Sequence, residues 1–474
     1  MKSLVNSTLF IFLFTVVGQG QLSVQDKIEQ ILEDQGVHPS VFSIHTFNTK
    51  TGQEPVSFRA DEYMIPASSM KVITTFSALD ILKSDFRYET VLGYSGIIER
   101  DGTLKGDIVI KGSGDPSLGS FREELNGDYL SVVNNMAKAI KRIGIKCIDG
   151  HILVDDSRFK NGGTHPGWSW SDVGNYYGAG AHGLNINENE YLVHFDRDVP
   201  IDSLVNIAST EPTIPGMSME CRVRLDEPGT GDNAYIYGGE GFYHKIIKGT
   251  IPAGKGNFKI RGSLPDPPRL VASLLAQKLE AQGISHLGPM VVTISSSINP
   301  IKTFKSKPLK DLVRLANVRS INLYCESFLR SICDSGSLSD GLDRLRSHID
   351  SVGLDTISIL QKDGSGLHSR NVITSRFFTQ FLTHYYKEWK GNAIELLPRA
   401  SFEGTVSGLL KYKKSKGKAW IKSGYIGGVL SYTGYIKNKD GEIIAISIMA
   451  NNFQKKIPKI REICEKIIEE VYLL

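Results

Sequence analysis

The two ends of this 474-residue chain carry complementary parts of one layer, and that constrains the fold more than any other feature. Near the start, Val24, Ile28, Ile31 and Leu32 recur at helical spacing, and Gly36 is placed to end that helix. The next run, Val41 to Phe47, alternates like a strand and turns over Asn48 to Gly52. Near the finish, Leu430 to Ile436 and Ile443 to Met449 read as strands joined through Asn438-Lys439-Asp440-Gly441, a hairpin signal. Ile457, Ile460, Ile463, Ile467, Ile468 and Val471 then form the apolar stripe of a closing helix. Together these elements predict one antiparallel sheet built from both termini and packed with helices.

The middle is then an insertion. From about Glu89 to Asn299 the text is Gly-rich and strand-like, clearest over Leu92 to Ile97, Leu104 to Lys111 and Val291 to Ile294. Helical text resumes from Leu309 to Ser331 and around Ser375 to Tyr386. The expected fold is α+β: a discontinuous domain, 21–88 plus 300–474, interrupted by a large β-rich insertion, 89–299, made of two small domains.

Residues 1–20 read as an export signal, with Lys2 ahead of the apolar run Leu9 to Val17 and small residues at Gly18 and Gly20. The run is too short to span a bilayer comfortably. Loss of that segment removes Lys2 and takes the formal charge from +4 to +3, which gives no reason to invoke nucleic acid. With 41% hydrophobic and 22% charged residues, long disorder is excluded. The basic run Lys411 to Lys418 reads as a solvated loop rather than a contact for an anionic polymer. Cys147, Cys221, Cys325, Cys333 and Cys464 contain no CxxC pair, and their odd number leaves at least one thiol unpaired. The eleven histidines form no HExxH-type pair, so neither metal nor other cofactor is expected.

Three short motifs carry the chemistry. Ser68 is followed three residues later by Lys71, Ser320 is followed by Asn322 after one residue, and Lys422-Ser423-Gly424 lies near the end. They offer a hydroxyl nucleophile, an amine to act as its base, a second hydroxyl and an amide to relay and orient, and a cationic strand. That set suits acyl transfer through a serine ester. Each motif recurs by chance: Ser157 precedes Lys160, Ser415 precedes Lys418, Ser297 precedes Asn299, Ser369 precedes Asn371, and Lys50-Thr51-Gly52 matches the third. Position selects among them. Ser68 follows Pro66 and opens a helical run, Val72 to Leu82, so Ser68 and Lys71 lie on the same side, one turn apart. Ser320 and Asn322 sit between two helical stretches, and Lys422 follows a strand-like run into Gly427-Gly428.

With further matches, the chain resembles the D-alanyl-D-alanine carboxypeptidase/endopeptidase family of class C, low-molecular-mass penicillin-binding proteins (serine peptidase family S13). The supporting text is Gly106 to Leu118, Asp155 to Phe159, Trp168 to Trp170 with Tyr177 to Ala179, Leu184 to Asn189, and Asp363 to Leu367, in the family's order. The departures are Met70, Ile321 and Ser423 within the motifs, and none removes a needed functional group.

The resemblance implies a penicillin-binding-protein/β-lactamase-like transpeptidase domain and a serine-type D-Ala-D-Ala carboxypeptidase that also cleaves cross-links. It acts on peptidoglycan stem peptides in the periplasm or cell envelope, with β-lactams as covalent inhibitors and at most peripheral membrane contact. Lys71, kept neutral by burial and by Lys422⁺, takes the Ser68 proton, and the N–H groups of Ser68 and Tyr425 hold the oxyanion. Ser320 relays a proton, Asn322 orients the substrate amide, and Lys422 and Ser423 grip the terminal carboxylate beside Gly424. A β-lactamase is the first alternative, although compact β-lactamases place the first two motifs closer together. A silent peptidoglycan-binding scaffold is the second, although both Ser68 and Lys71 are present.

Overall fold

The computed structural model describes residues 22–38, 41–125, 127–295 and 297–474; the expected export segment, residues 1–20, lies outside them. The chain opens with α1 (Val24–Asp34), β1 (Phe42–Asn48), β2 (Val56–Phe58) and α2 (Lys71–Leu82). It departs through β3 (Glu89–Tyr94) into β4 (Ile108–Lys111), α3 (Tyr129–Arg142) and β5 (Ile152–Asp155). Strands between Glu190 and Ser263 follow, then α4 (Pro267–Glu280), β6 (Pro289–Val292) and the returning strand β7 (Asn299–Lys305). Next come α5 (Leu309–Arg319), α6 (Asn322–Ser331), α7 (Leu338–Ser351) and α8 (Ser375–Glu388). The chain closes on β8 (Ala419–Ile426), β9 (Val429–Lys437), β10 (Ile443–Asn451) and α9 (Ile457–Tyr472).

The sheet predicted from the two termini is present, antiparallel throughout, in the order β8-β9-β10-β1-β2. Strand alternation explains why both faces are covered. Ile444, Ile446 and Ile448 of β10 join Ile28, Leu32, Ile460 and Ile467 of α1 and α9, while Ala445 and Met449 turn to Phe377 and Phe381 of α8. Ser23 fixes the start of α1 through a reciprocal capping box with Asp26. Helix α2 is buried on every side from Lys71 to Leu79, with Thr74 and Thr75 donating to the Gly364 and Lys71 carbonyls.

The excursion from β3 to β7 forms a second five-stranded sheet, β6-β5-β4-β3-β7, in which β4, β5 and β6 run parallel. Its apolar side chains, from Leu92 to Ile284, make one cluster that also takes in Met136 and Ile140 of α3 and Leu275 of α4. Asn299 and Pro300 carry the residue chemistry of a turn, yet both begin β7, opposite Tyr94 and Gly93. A proline is tolerated there because β7 is an edge strand, where a missing N–H leaves no ladder bond broken. All five cysteines are free thiols, and Cys333 lies beyond the end of α6. No described helix is long and apolar enough to cross a membrane.

Candidate active site

Ser68 lies in a 3-10 turn, Ala67–Met70, that runs directly into α2. The turn is held in place by the terminal sheet. Ser431 Oγ on β9 donates to the Pro66 carbonyl (2.5 Å) and shares a bond with Ser69 Oγ (2.8 Å). Strand β8 presses so close that a Cβ on Gly424 would stand 2.4 Å from Ser431 Oγ and 2.8 Å from the Ser68 nitrogen. Gly366 is required for a like reason: its φ is +83° and a Cβ would reach 2.0 Å from the Ala67 carbonyl oxygen.

Lys71, fully buried at the start of α2, directs Nζ to Ser68 Oγ (2.8 Å), Asn322 Oδ1 (2.6 Å) and the Ser365 carbonyl (2.7 Å). The last two are pure acceptors and must each receive an N–H. Only the line to Ser68 can reverse direction, because only a hydroxyl can donate as well as accept. A neutral amine therefore has one place for its lone pair, against the Ser68 proton.

Ser320 ends α5 in the left-handed region (φ 58°, ψ 46°), and Asn322 begins α6. Asn322 accepts from Lys71 at Oδ1 and donates from Nδ2 to the Tyr177 carbonyl (2.7 Å), so both ends of its amide are fixed. Lys422, fully buried on the edge strand β8, donates to Ser320 Oγ (2.9 Å) and to the Ser423 carbonyl (2.5 Å). Its amine thus faces the Ser320 hydroxyl. The half-buried Ser423 Oγ, bonded to the exposed Thr405 Oγ (2.8 Å), stands nearer solvent, and the Tyr425 ring is exposed.

Burial pushes both lysines below the ordinary lysine range. The expected division of the like-charge penalty is reversed. The Lys71 charge further depresses Lys422, whereas Cys325, Asp363 and Glu326 draw Lys71 back up.

Sequence reasoning named Ser68, Lys71, Ser320, Asn322, Lys422, Ser423, Gly424 and Tyr425, and the structure brings these three segments into contact with one another. It missed the Ser365 and Tyr177 carbonyls, since a backbone acceptor leaves no mark in residue type, and it missed Thr405. The rival motifs lie apart: Ser415 Oγ is engaged with Glu469 (2.7 Å), and Lys50 lies 3.5 Å from Glu442 at the turn after β1. Asp363 is gripped by Trp168 Nε1, the Gly366 and His368 N–H groups and Asn371 Nδ2, all within 2.9 Å.

Residues 24–470 match the family described as D-Ala-D-Ala carboxypeptidase 3 (S13). The chain is 25% identical over 463 residues to a D-alanyl-D-alanine carboxypeptidase of Actinomadura sp. (strain R39), covering 92% of this chain and 82% of that one. It superposes on penicillin binding protein 4 (dacB) from Haemophilus influenzae with a TM-score of 0.81 at 21% identity, over 94% of this chain and 99% of that one. The same Haemophilus protein complexed with a novel β-lactam gives a TM-score of 0.75 at 20% identity, with the same coverage. These likenesses establish the fold as that of the penicillin-binding proteins.

Proposed function

The chain belongs to the D-Ala-D-Ala carboxypeptidase 3 (S13) family, and on that premise we propose that it releases the terminal D-alanine of peptidoglycan stem peptides through an acyl ester on Ser68. One observation carries this reading: Lys71 Nζ lies 2.8 Å from Ser68 Oγ with its other two contacts fixed on acceptors.

In the proposed cycle, a substrate carboxylate settles at Ser423 and Thr405 and supplies the anion that lets the nearby Lys422 keep its proton. Lys71 takes the Ser68 proton as Oγ bonds to the carbonyl carbon of the penultimate D-alanine. The N–H groups of Ser68 and Tyr425 receive the oxyanion, with Gly424 permitting their close approach. Ser320 then passes its proton to the departing nitrogen as the C–N bond breaks, and is recharged by Lys422. Asn322, fixed between Lys71 and Tyr177, orients the substrate amide. Water cleaves the ester and gives its proton to Lys422 through Ser320, while Lys71 returns its own to Ser68 Oγ. Protons balance over the cycle, and both lysines regain their starting states.

The same chemistry cleaves a D-alanyl cross-link, and a β-lactam entering it leaves a stable acyl-serine. We assign the chemistry to 21–88 and 300–474, with 89–299 as an inserted region joined through the β3–β7 pair and lending the Tyr177 carbonyl to the site. The cell envelope is the compartment this substrate requires. The deciding experiment is a fluorescent-penicillin gel paired with a D-alanine release assay. Wild type should label durably and release D-alanine, and Ser68→Ala should do neither. Rapid turnover of the label would point to a β-lactamase, absence of both signals to a scaffold, and labelling that survives Ser68→Ala to another nucleophile.

A further inference from the structure

Lys71 and Lys422 are both buried, and every hydrogen-bond partner of their Nζ atoms is uncharged. A buried ammonium without a counter-ion is disfavoured by several kcal/mol, so the charge that steadies Lys71 must come from behind its immediate partners. Two carboxylates act on it there, Asp363 and Glu326. Asp363 is saturated by the four donors described above. Glu326 is not.

Glu326 sits one helical turn after Asn322 on α6, so both face the same side. One oxygen, Oε2, accepts the Gly364 N–H (3.0 Å), next to the Ser365 carbonyl that holds Lys71. Its other oxygen is buried and faces the Ser365 hydroxyl, which is itself buried with no other partner. The cation one turn further on, Arg330, directs its donors to the Lys160 and Gly336 carbonyls instead. An under-satisfied carboxylate, 5% exposed and unpaired with any cation, is a poor structural element. It is well placed to act electrostatically on the amine beside it.

We propose that Glu326 is a positioning residue for the acylation step, holding the Ser365 carbonyl in place through Gly364 and supplying the negative charge that governs when Lys71 accepts the Ser68 proton. The groups facing Glu326 are Lys71 from α2, Asp363 from the 361–371 loop, and Cys325 and Arg330 from its own helix, with His165 and His368 beyond Asp363. Burial, reinforced by Asp363, raises the Glu326 carboxyl to about 7, so its charge changes over the range in which such an enzyme works. This inference rests on Ser68 and Lys71 being the nucleophile and base.

The test is the rate of Ser68 acylation by a fluorescent penicillin between pH 5 and pH 10 in the full chain. Glu326→Gln keeps an acceptor for Gly364 but loses the charge. Lys71 then sheds its proton more readily, and the acidic limb of the profile should move to lower pH by on the order of one pH unit. The plateau rate should stay within about ten-fold of wild type. Glu326→Ala loses both roles and should be slower at every pH, with Gln as the rescuing variant. A Gln profile that superposes on wild type, or a Gln variant slowed like Ala with no displaced limb, overturns the proposal. Absence of labelling in wild type, or its persistence in Ser68→Ala, would overturn the nucleophile assignment beneath it and is read separately.

Discussion

Lys422 Nζ lies 2.9 Å from Ser320 Oγ, so the cation of the third motif is spent on the hydroxyl of the second. The two should therefore act as one unit. Lys422→Ala and Ser320→Ala should each slow penicillin acylation by roughly 10²- to 10⁴-fold, the usual span for general acid–base groups. The double variant should be no slower than the worse single one. Multiplicative losses would show that the residues work independently.

Lys71 can act only when it has lost its proton, and burial holds its pKa below the ordinary value of 10.5. A base with a depressed pKa becomes competent at lower pH, so acylation should climb with pH to a plateau reached earlier than an ordinary lysine would allow. Lys71→Arg retains the charge but cannot deprotonate. It should fold, by circular dichroism and melting temperature, yet acylate at least about 10³-fold more slowly. An Arg variant of wild-type rate would remove Lys71 from the base role.

The contact of Gly424 with the nucleophile turn makes a sharper demand. A methyl group there meets Ser431 Oγ, the Pro66 carbonyl and the Ser68 nitrogen, all within 2.8 Å. Overpacking of this kind costs about 1–3 kcal/mol, and here the strain falls on the Ser68 N–H, the proposed oxyanion donor. Gly424→Ala should lower the acylation rate by more than about ten-fold while the melting temperature falls by only several degrees. Unaltered acylation would mean that β8 can withdraw from Ser68.

Much of this arrangement was legible in the sequence where side-chain period or motif position carried it. Alternation in Ile443 to Met449 and the stripe from Ile457 to Val471 specify strands and a helix because each buries one face. The elements of the excursion were less legible. Val133, Met136, Ala137 and Ile140 form a good amphipathic stripe on α3, but the surrounding glycines made the whole region read as strands. Asn299-Pro300 carries the chemistry of a turn, and only its place on a sheet edge makes it a strand. In the site, the residues with a reactive side chain were legible. The carbonyls of Ser365 and Tyr177 were not, because any residue presents one.

Asp115 offers a stability measurement independent of catalysis. Burial raises its carboxyl from 3.8 to about 6. The unfolded chain therefore gives up this proton first, and between about pH 4 and 6 the folded state holds more protons. Its contribution to stability is complete below pH 4 and is lost as pH rises through 6, by up to about 3 kcal/mol. Asp115→Asn retains an acceptor for the Ser117 N–H (2.8 Å) and should lessen the fall in melting temperature between pH 4.5 and 7. An identical fall in both proteins would exclude Asp115 as its source.

The pairing of β3 with β7 sets Glu89 opposite Lys305, so more than two hundred residues leave and rejoin the catalytic body at a single doorway. A segment tethered this way can be lengthened, shortened or exchanged over evolution without disturbing the strand order at either terminus. Because it also holds Asn322 through Tyr177 and Asp363 through Trp168, any exchange would have to keep these two contacts, through which the insertion reaches Lys71.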